Sequence, residues 1–420
     1  MNDAARPPDP EMDKRKIKSV GRMKAIMTDY YIEAKTAAQT GKKVAWITSG
    51  GPVEPLVAMD VIPVYPENHG AMIGAAKMGV DLCQKAEEMG YARDLCSYAR
   101  ADIACATIDG GPIGGLPRPD MLVCCTNICG TVLKWYEVQA RYFNVPLFIL
   151  DTPFIHTQYT REAHDYVTAQ LDEYVSFLEA CCGRSFDHDR LKAVGRLSVA
   201  GQRLWQQVLD TTVNRPAPMS AFDAFFHLAL IVTLRGTQTA VDYYTELLAE
   251  MKTRVAEGIA AVPGERHRLL WDNLPVWYRT RWLAGKFAAH GACLVADTYT
   301  SSWCGTLDYL DENNFFGSMA EAYSRVYINI GTDQMADKVL EMIDKYHIDG
   351  IVMHANRSCK PYSLGQYDIL RIVREKRGTP SLVIEADMTD ARNFAESQIG
   401  TRIDAFMEML ASTPLEAAGR

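Results

Sequence analysis

The chain lacks the short signatures that usually mark a metal or nucleotide site. It has no Cys-x₂-Cys pair, so the common closed zinc sites are not encoded, and it has no bacterial ferredoxin run. It has no Gly-x₄-Gly-Lys-Ser/Thr, which argues against ATP hydrolysis through a P-loop. His-Glu-x-x-His and Gly-x-Ser-x-Gly are also missing. No Lys/Arg-rich run stands out and the net charge is −8, which sets aside nucleic-acid and anionic-membrane partners. No apolar run approaches the roughly 18 residues of a membrane span. The opening residues 1–10 are polar and proline-rich, without the apolar core of a signal peptide, and read as a disordered arm. The expected compartment is the cytoplasm.

What is present is material for packed cores: 420 residues, 48% of them hydrophobic and 23% charged. Compact apolar runs at 43–48, 61–64, 121–125 and 146–150 alternate with helical stretches at 11–40, 71–89, 97–108 and 130–143. Residues 160–257 carry no strand pattern and read as helices over 160–182, 188–212, 219–233 and 236–257. Strands then return at 267–271, 292–296, 350–353 and 382–385, with helices at 276–289, 331–346, 364–377 and 391–411. Residues 298–317 and 354–363 read as loops. The alternation predicts an α/β fold of two doubly wound, Rossmann-like parallel-sheet lobes. The first lobe spans 11–159 and the second 258–420, with the helical segment 160–257 inserted between them. The lobes are candidates for an internal duplication.

Eleven cysteines need a role. In a long chain with an odd count and a reducing compartment, a disulfide framework is not expected. Cys129, Cys304 and Cys359 each fall in a loop just after a predicted strand, where open parallel sheets place their ligand sites. Cys96 precedes a helix, whose positive end favours a thiolate. Cys83, Cys105, Cys124, Cys181, Cys182 and Cys293 read as structural, because buried cysteine is ordinary core material. Cys125 ends a strand and faces the turn. Thiolates without neighbouring histidines point to an iron–sulfur cluster or to zinc. The spacing excludes the common local motifs of both and leaves open ligands assembled from distant loops, with cysteines of both lobes pointing into the cleft between them, where a cluster is expected. The glycine-rich stretch Gly110–Gly115 follows a helix and reads as a surface loop, and Ser49-Gly50-Gly51-Pro52 reads as a tight turn. His354 and Arg357 flank Cys359, in position to tune a cluster or contact an anionic substrate. Glu385 and Asp387 follow a strand end and are acid/base candidates.

Several stretches together resemble the benzoyl-CoA reductase / 2-hydroxyacyl-CoA dehydratase family. They are Asp94-Leu95-Cys96-Ser97-Tyr98, Pro119 to Val123 with Thr126-Asn127-Ile128-Cys129 and Lys134-Trp135, and His354-Ala355-Asn356-Arg357-Ser358-Cys359 with Ser363 and Gly365-Gln366. Arg235-Gly236-Thr237 and Ile384-Glu385-Ala386-Asp387 also fit. The match runs from about residue 40 to the C-terminus. It implies a [4Fe–4S] cluster on Cys96, Cys129 and Cys359, fed single electrons by a separate ATP-hydrolysing iron–sulfur activator. The acceptor implied is an acyl-CoA thioester, which passes through a ketyl-type radical. The wording of the stretches leans toward ring reduction of benzoyl-CoA type, with radical elimination of water from an (R)-2-hydroxyacyl-CoA as the alternative. Asn127, Arg357 and Gln366 become substrate-binding candidates, and Glu385, Asp387 and His354 catalytic ones. A homologous second subunit or a homodimer is expected. Cys125 and Cys304, the latter in Ser302-Trp303-Cys304-Gly305, exceed the three-cysteine pattern. They keep open a branch that holds a double-cubane [8Fe–9S] cluster and reduces small molecules, with Cys83 or Cys124 as the sixth ligand. A third alternative is an electron-transfer partner without catalysis.

Overall fold

A computed structural model describes residues 15–108 and 110–412. The arm expected over residues 1–10 lies outside them. Each lobe is built on a four-stranded, all-parallel sheet. The first contains β1 (Lys43–Ile47), β2 (Val61–Val64), β3 (Met121–Cys125) and β4 (Leu147–Leu150), in the order β2-β1-β3-β4. The second contains β5 (His267–Asp272), β6 (Ala292–Asp297), β7 (Gly350–Asn356) and β8 (Ser381–Ala386), in the order β6-β5-β7-β8. Counted within its own lobe, each sheet runs 2-1-3-4, the arrangement a duplication leaves.

The strands form where the sequence is apolar on both faces. Every residue of β3 is buried, as are all of β1 beyond Lys43, because helices cover both sides of a parallel sheet. Pro63 lies on β2, an edge strand with β1 on one side only, so its missing N–H breaks no second ladder.

The helical segment follows its capping residues. Helix Arg161–Cys182 is capped by the Thr160 hydroxyl and His188–Asp210 by the Asp187 carboxylate. Ser220 and Asp223 form a capping box at Ala221–His227, and Thr237 caps Gln238–Ala256. Each cap satisfies a backbone N–H that otherwise has no intrahelical partner, worth about 1 kcal/mol. The inner faces of these helices bury Tyr174, Leu178 and Trp205 in one core with Ala45, Ile47 and Val123 of the first sheet. A second core is continuous across the lobes, joining Trp46 and Leu122 to Leu269 and Trp271.

Polar contacts also lock the lobes together. Arg100, almost fully buried, pairs with Glu87 at 2.6 Å and Asp390 at 3.3 Å, and Arg392 bridges the same two carboxylates. Gly79 approaches so closely that an added Cβ would lie 2.1 Å from the Thr389 carbonyl oxygen.

Three local expectations change. Stretch 71–89 is two helices, Pro66–Ala75 and Gly79–Glu88, broken where Lys77 takes a positive φ of 60°. β7 continues to Asn356 instead of ending at 353, because β8 pairs with it as far as Asn356↔Ala386. His354 is therefore a sheet residue, not a loop residue. The region read as loop over 298–317 contains the start of a helix, Phe315–Ser324, and a short helix, Thr298–Ser301. Among the described residues no helix is long and apolar enough to cross a membrane.

Candidate functional site

Parallel sheets open a crevice where neighbouring strands lead their connections in opposite directions, beyond the strands' carboxyl ends. In the first lobe that point lies between β1 and β3, in the second between β5 and β7. Ser49 and Gly50 follow β1, Cys129 follows β3, Leu274 follows β5 and Cys359 follows β7. All five line one cavity of about 170 Å³. Cys96, from the connection between β2 and β3, lines it too.

Each of these three cysteines stands at the start of a helix. Cys96 precedes Ser97–Ile108, Cys129 is the N-cap of Gly130–Phe143, and Cys359 is the N-cap of Lys360–Ser363. Backbone amides of the helix starts face their sulfurs: Ala99 and Tyr98 at Cys96, Val132 and Thr131 at Cys129, Tyr362 at Cys359. Burial nevertheless dominates and raises all three thiol pKa values, that of Cys96 to about 12. Mutual repulsion between thiolates adds to the rise: Cys129 acts on Cys96, and both act on Cys359. A cationic metal core bound between them would reverse both penalties.

The loops that carry two of the thiols are tied across the lobes. The Ser97 backbone N–H donates to Ser358 Oγ at 3.2 Å, and the two hydroxyls lie 3.2 Å apart. This holds the neighbours of Cys96 and Cys359 in register.

All three cysteines are partly exposed, whereas Cys83, Cys105, Cys124, Cys125, Cys293 and Cys304 are buried. Cys125 packs in the core beneath the first sheet. Cys304 does the same, its thiol donating to the Gln202 carbonyl at 3.6 Å. Neither borders the cavity. Among the described residues no three His, Cys, Asp or Glu side chains gather closely enough for a single ion.

The acid/base and substrate-binding candidates stand behind the cavity wall or on the surface, although Asp387 is near enough to raise the thiol pKa values of Cys96 and Cys359. Glu385 and Arg357 pair with each other at 2.8 Å on the exposed surface. Asp387 is buried and spends Oδ1 on the amides of Thr389 and Asp390. His354 is buried, with Nδ1 2.6 Å from the Leu274 carbonyl oxygen; burial lowers its pKa to about 4, so it is neutral. Asn127 donates to the carbonyls of Gly50 and Tyr323, and Gln366 to Asp272 and the His354 carbonyl. None of these six side chains borders the cavity.

One carboxyl does. Glu67 sits in the first turn of Pro66–Ala75, just beyond β2, and is the single acidic side chain among the described cavity residues. The Ser49 N–H and the Tyr136 hydroxyl each donate to it at 3.2 Å. Burial outweighs these donors and moves its pKa up to about 7. Its place at a strand's carboxyl end was a readable signal: Tyr65-Pro66-Glu67 follows an apolar run and opens a helix with proline at its first position.

Residues 48–410 match the family model described as 2-hydroxyglutaryl-CoA dehydratase, D-component. The chain belongs to this family. It is 33% identical to the (R)-2-hydroxyisocaproyl-CoA dehydratase alpha subunit of Clostridioides difficile, over 92% of this chain and 94% of that one. It is 34% identical to the lactoyl-CoA dehydratase alpha subunit of Anaerotignum propionicum, over 90% and 93%. It is 28% identical to a benzoyl-CoA reductase subunit of Thauera aromatica, over 93% and 94%. The resemblance read from the cysteine stretches thus holds over nearly the whole chain, and this D-component relative is an enzyme of the acyl-CoA dehydratase and reductase family.

Proposed function

We propose that this D-component relative is the cluster-binding subunit of an enzyme that eliminates water from a 2-hydroxyacyl-CoA. The observation that carries the reading is the convergence of Cys96, Cys129 and Cys359 on one largely apolar cavity. The donor set fits a [4Fe–4S] cluster: three soft sulfurs, no histidine on the wall, and amides at three helix starts to offset negative charge. Such a cluster supplies the low-potential single electron that activates a thioester.

The chain's own residues do the rest. The apolar wall excludes water from a reactive thioester. Glu67, half protonated near neutrality, donates a proton to the departing hydroxyl. The C2–OH and C3–H bonds break, the C2=C3 bond forms, water leaves, and the C3 proton passes to the Glu67 carboxylate left by the first transfer, which restores the acid. There is no net redox change, so one electron serves many turnovers.

Dehydration is preferred to ring reduction because the matching family model is a dehydratase component and dehydratase alpha subunits at 27%, 32%, 33% and 34% identity stand against a reductase polypeptide at 28%. The naming of these dehydratase relatives as alpha subunits supports a homologous partner polypeptide, and the activator is a separate ATP-hydrolysing iron–sulfur protein. The test is anaerobic reconstitution followed by iron and sulfide analysis, then turnover with activator, ATP and reductant. About four irons per chain and enoyl-CoA formation are expected. About eight irons would point to the double-cubane alternative, for which Cys125 and Cys304 lie off the cavity wall. Colourless, iron-free protein would overturn the reading.

A further inference from the structure

The motif Arg235-Gly236-Thr237 lies outside the chemistry described so far, yet Arg235 borders the cavity and is one of only two charged side chains on its described wall, with Glu67. Arg235 is buried, and Nε and Nη2 of its guanidinium are committed to the protein. Nε donates to Glu54 Oε1 at 3.2 Å, and Nη2 donates to the Gly51 carbonyl at 3.1 Å and the Tyr323 hydroxyl at 3.3 Å. Its plane lies near Trp303 and Tyr323, 5.7 and 5.9 Å from the ring centroids. Glu54 is fully buried beneath it, and takes further hydrogen bonds from the Ser198 hydroxyl at 2.6 Å and from the Tyr323 hydroxyl. The neighbouring polar groups are spent on each other as well: Gln202 Nε2 donates to Ser198, and the Thr306 hydroxyl donates to Gln202.

The charge balance follows directly. Arg235 and Glu54 cancel, leaving Glu67, which has the same sign as an incoming carboxylate. Most of the rest of the wall, including Tyr98, Ile128, Val132, Trp135, Tyr299 and Val326, offers apolar and aromatic surface, interrupted by uncharged polar side chains such as Thr131 and Ser302. A second carboxylate on the acyl chain would be desolvated here against a guanidinium already paired with Glu54, the one cation among the described wall residues. We infer that the acyl group taken by this cavity is uncharged and apolar, branched aliphatic or aryl, and that dicarboxylic acyl-CoAs are rejected. Glu54 sets this preference by neutralising Arg235. The inference rests on the acyl-CoA reading above and adds the substrate class.

The test uses the reconstituted holoprotein and thioesters without a 2-hydroxyl group, so that binding is read without turnover. 4-Methylpentanoyl-CoA, 3-phenylpropanoyl-CoA and glutaryl-CoA are titrated by calorimetry and by quenching of tryptophan emission, since Trp135 and Trp303 line the cavity. The two apolar thioesters are expected to bind at least about tenfold more tightly than glutaryl-CoA. Glutaryl-CoA binding equally well or better overturns the inference and leaves the acyl-CoA reading intact. If none of the three binds, that reading fails and takes this inference with it. The variant Glu54→Gln frees Arg235 and should narrow the gap by on the order of tenfold in favour of glutaryl-CoA; an unchanged gap in folded variant removes Glu54 as the determinant. The wild-type ranking decides the substrate class whether or not that variant folds.

Discussion

Replacing Glu67 with glutamine gives the sharpest test of the proposed proton donor. Glutamine keeps the shape: its Oε1 can still accept from the Ser49 amide, and its amide N–H can donate to the Tyr136 oxygen, replacing the two hydrogen bonds that hold the native carboxyl at 3.2 Å. It cannot deliver a proton. A positioned general acid contributes roughly 10²–10⁴-fold, so the rate with Glu67→Gln should fall by that order. The pH dependence carries more information than the loss itself. With a pKa raised to about 7 by burial, the protonated fraction of Glu67 falls from about nine-tenths at pH 6 to about one-tenth at pH 8. An acid role therefore predicts a roughly tenfold decline in the dehydration step across that interval. A base role predicts a rise instead. The assay is single-turnover formation of enoyl-CoA with prereduced enzyme, which keeps the activator's own pH dependence out of the measurement. A profile that climbs with pH, or a glutamine variant within threefold of wild type with the same profile, would refute the assignment.

Other outcomes follow from the same geometry. Cys129→Ser should lose most of its iron on anaerobic reconstitution, whereas Cys304→Ala should keep the wild-type iron content and lose only about 1 kcal/mol of stability, because its sulfur packs in a core and not on the cavity wall. Iron loss in the Cys304 variant would return that residue to the ligand set. Gly79→Ala should cost about 2–3 kcal/mol in urea unfolding with little change in the m-value, since the new Cβ meets a backbone carbonyl of the opposite lobe at 2.1 Å. A neutral or stabilising effect there would mean that the lobes part more easily than their packing implies.

The fold was more legible than the site, and the reasons are physical. Strands and helices leave periodic patterns in the sequence, and the helical segment also advertises its starts through Thr160, Asp187, Ser220 and Thr237. Cys129 and Cys359 were readable because strand-end position is local information, and parallel topology converts it into a shared crevice. Cys304 met the same local criterion, but its loop folds back under the helical segment, where its sulfur meets the Gln202 carbonyl. Nothing in the residues around it encodes that turn. His354 is an acid/base candidate because it flanks Cys359 in sequence, and Glu385 and Asp387 because they follow a strand end. Continued pairing of β7 with β8 removes His354 and Asn356 from the loop, and Arg357 and Glu385 neutralise each other on the surface. The strand-end position of Glu67 is legible in the sequence, but the burial that raises its pKa is not, because it depends on how deeply distant segments cover the carboxyl.

The amides at the three thiols bear on electron affinity as well as on assembly. A dry cleft favours a low cluster potential as long as few donors reach the sulfurs. The structure places backbone amides of five residues opposite the three sulfurs, and the Thr131 hydroxyl is also directed at Cys129. Donors to ligand sulfur stabilise the reduced, more negative state and raise the potential, whereas an apolar wall opposes it. The balance should therefore be adjustable at one side chain without dismantling the site. Thr131 lies on the exposed first turn of Gly130–Phe143, so Thr131→Val removes the hydroxyl donor while leaving both amides and the helix start in place. The midpoint potential, followed by anaerobic redox titration with electron paramagnetic resonance, should move negative at unchanged iron content. Because a more negative centre is harder to fill, electron uptake from the activator should slow while substrate binding stays the same. A potential that is unmoved or shifts positive would show that the hydroxyl does not act on the sulfur, and that the amides alone set the charge balance at Cys129.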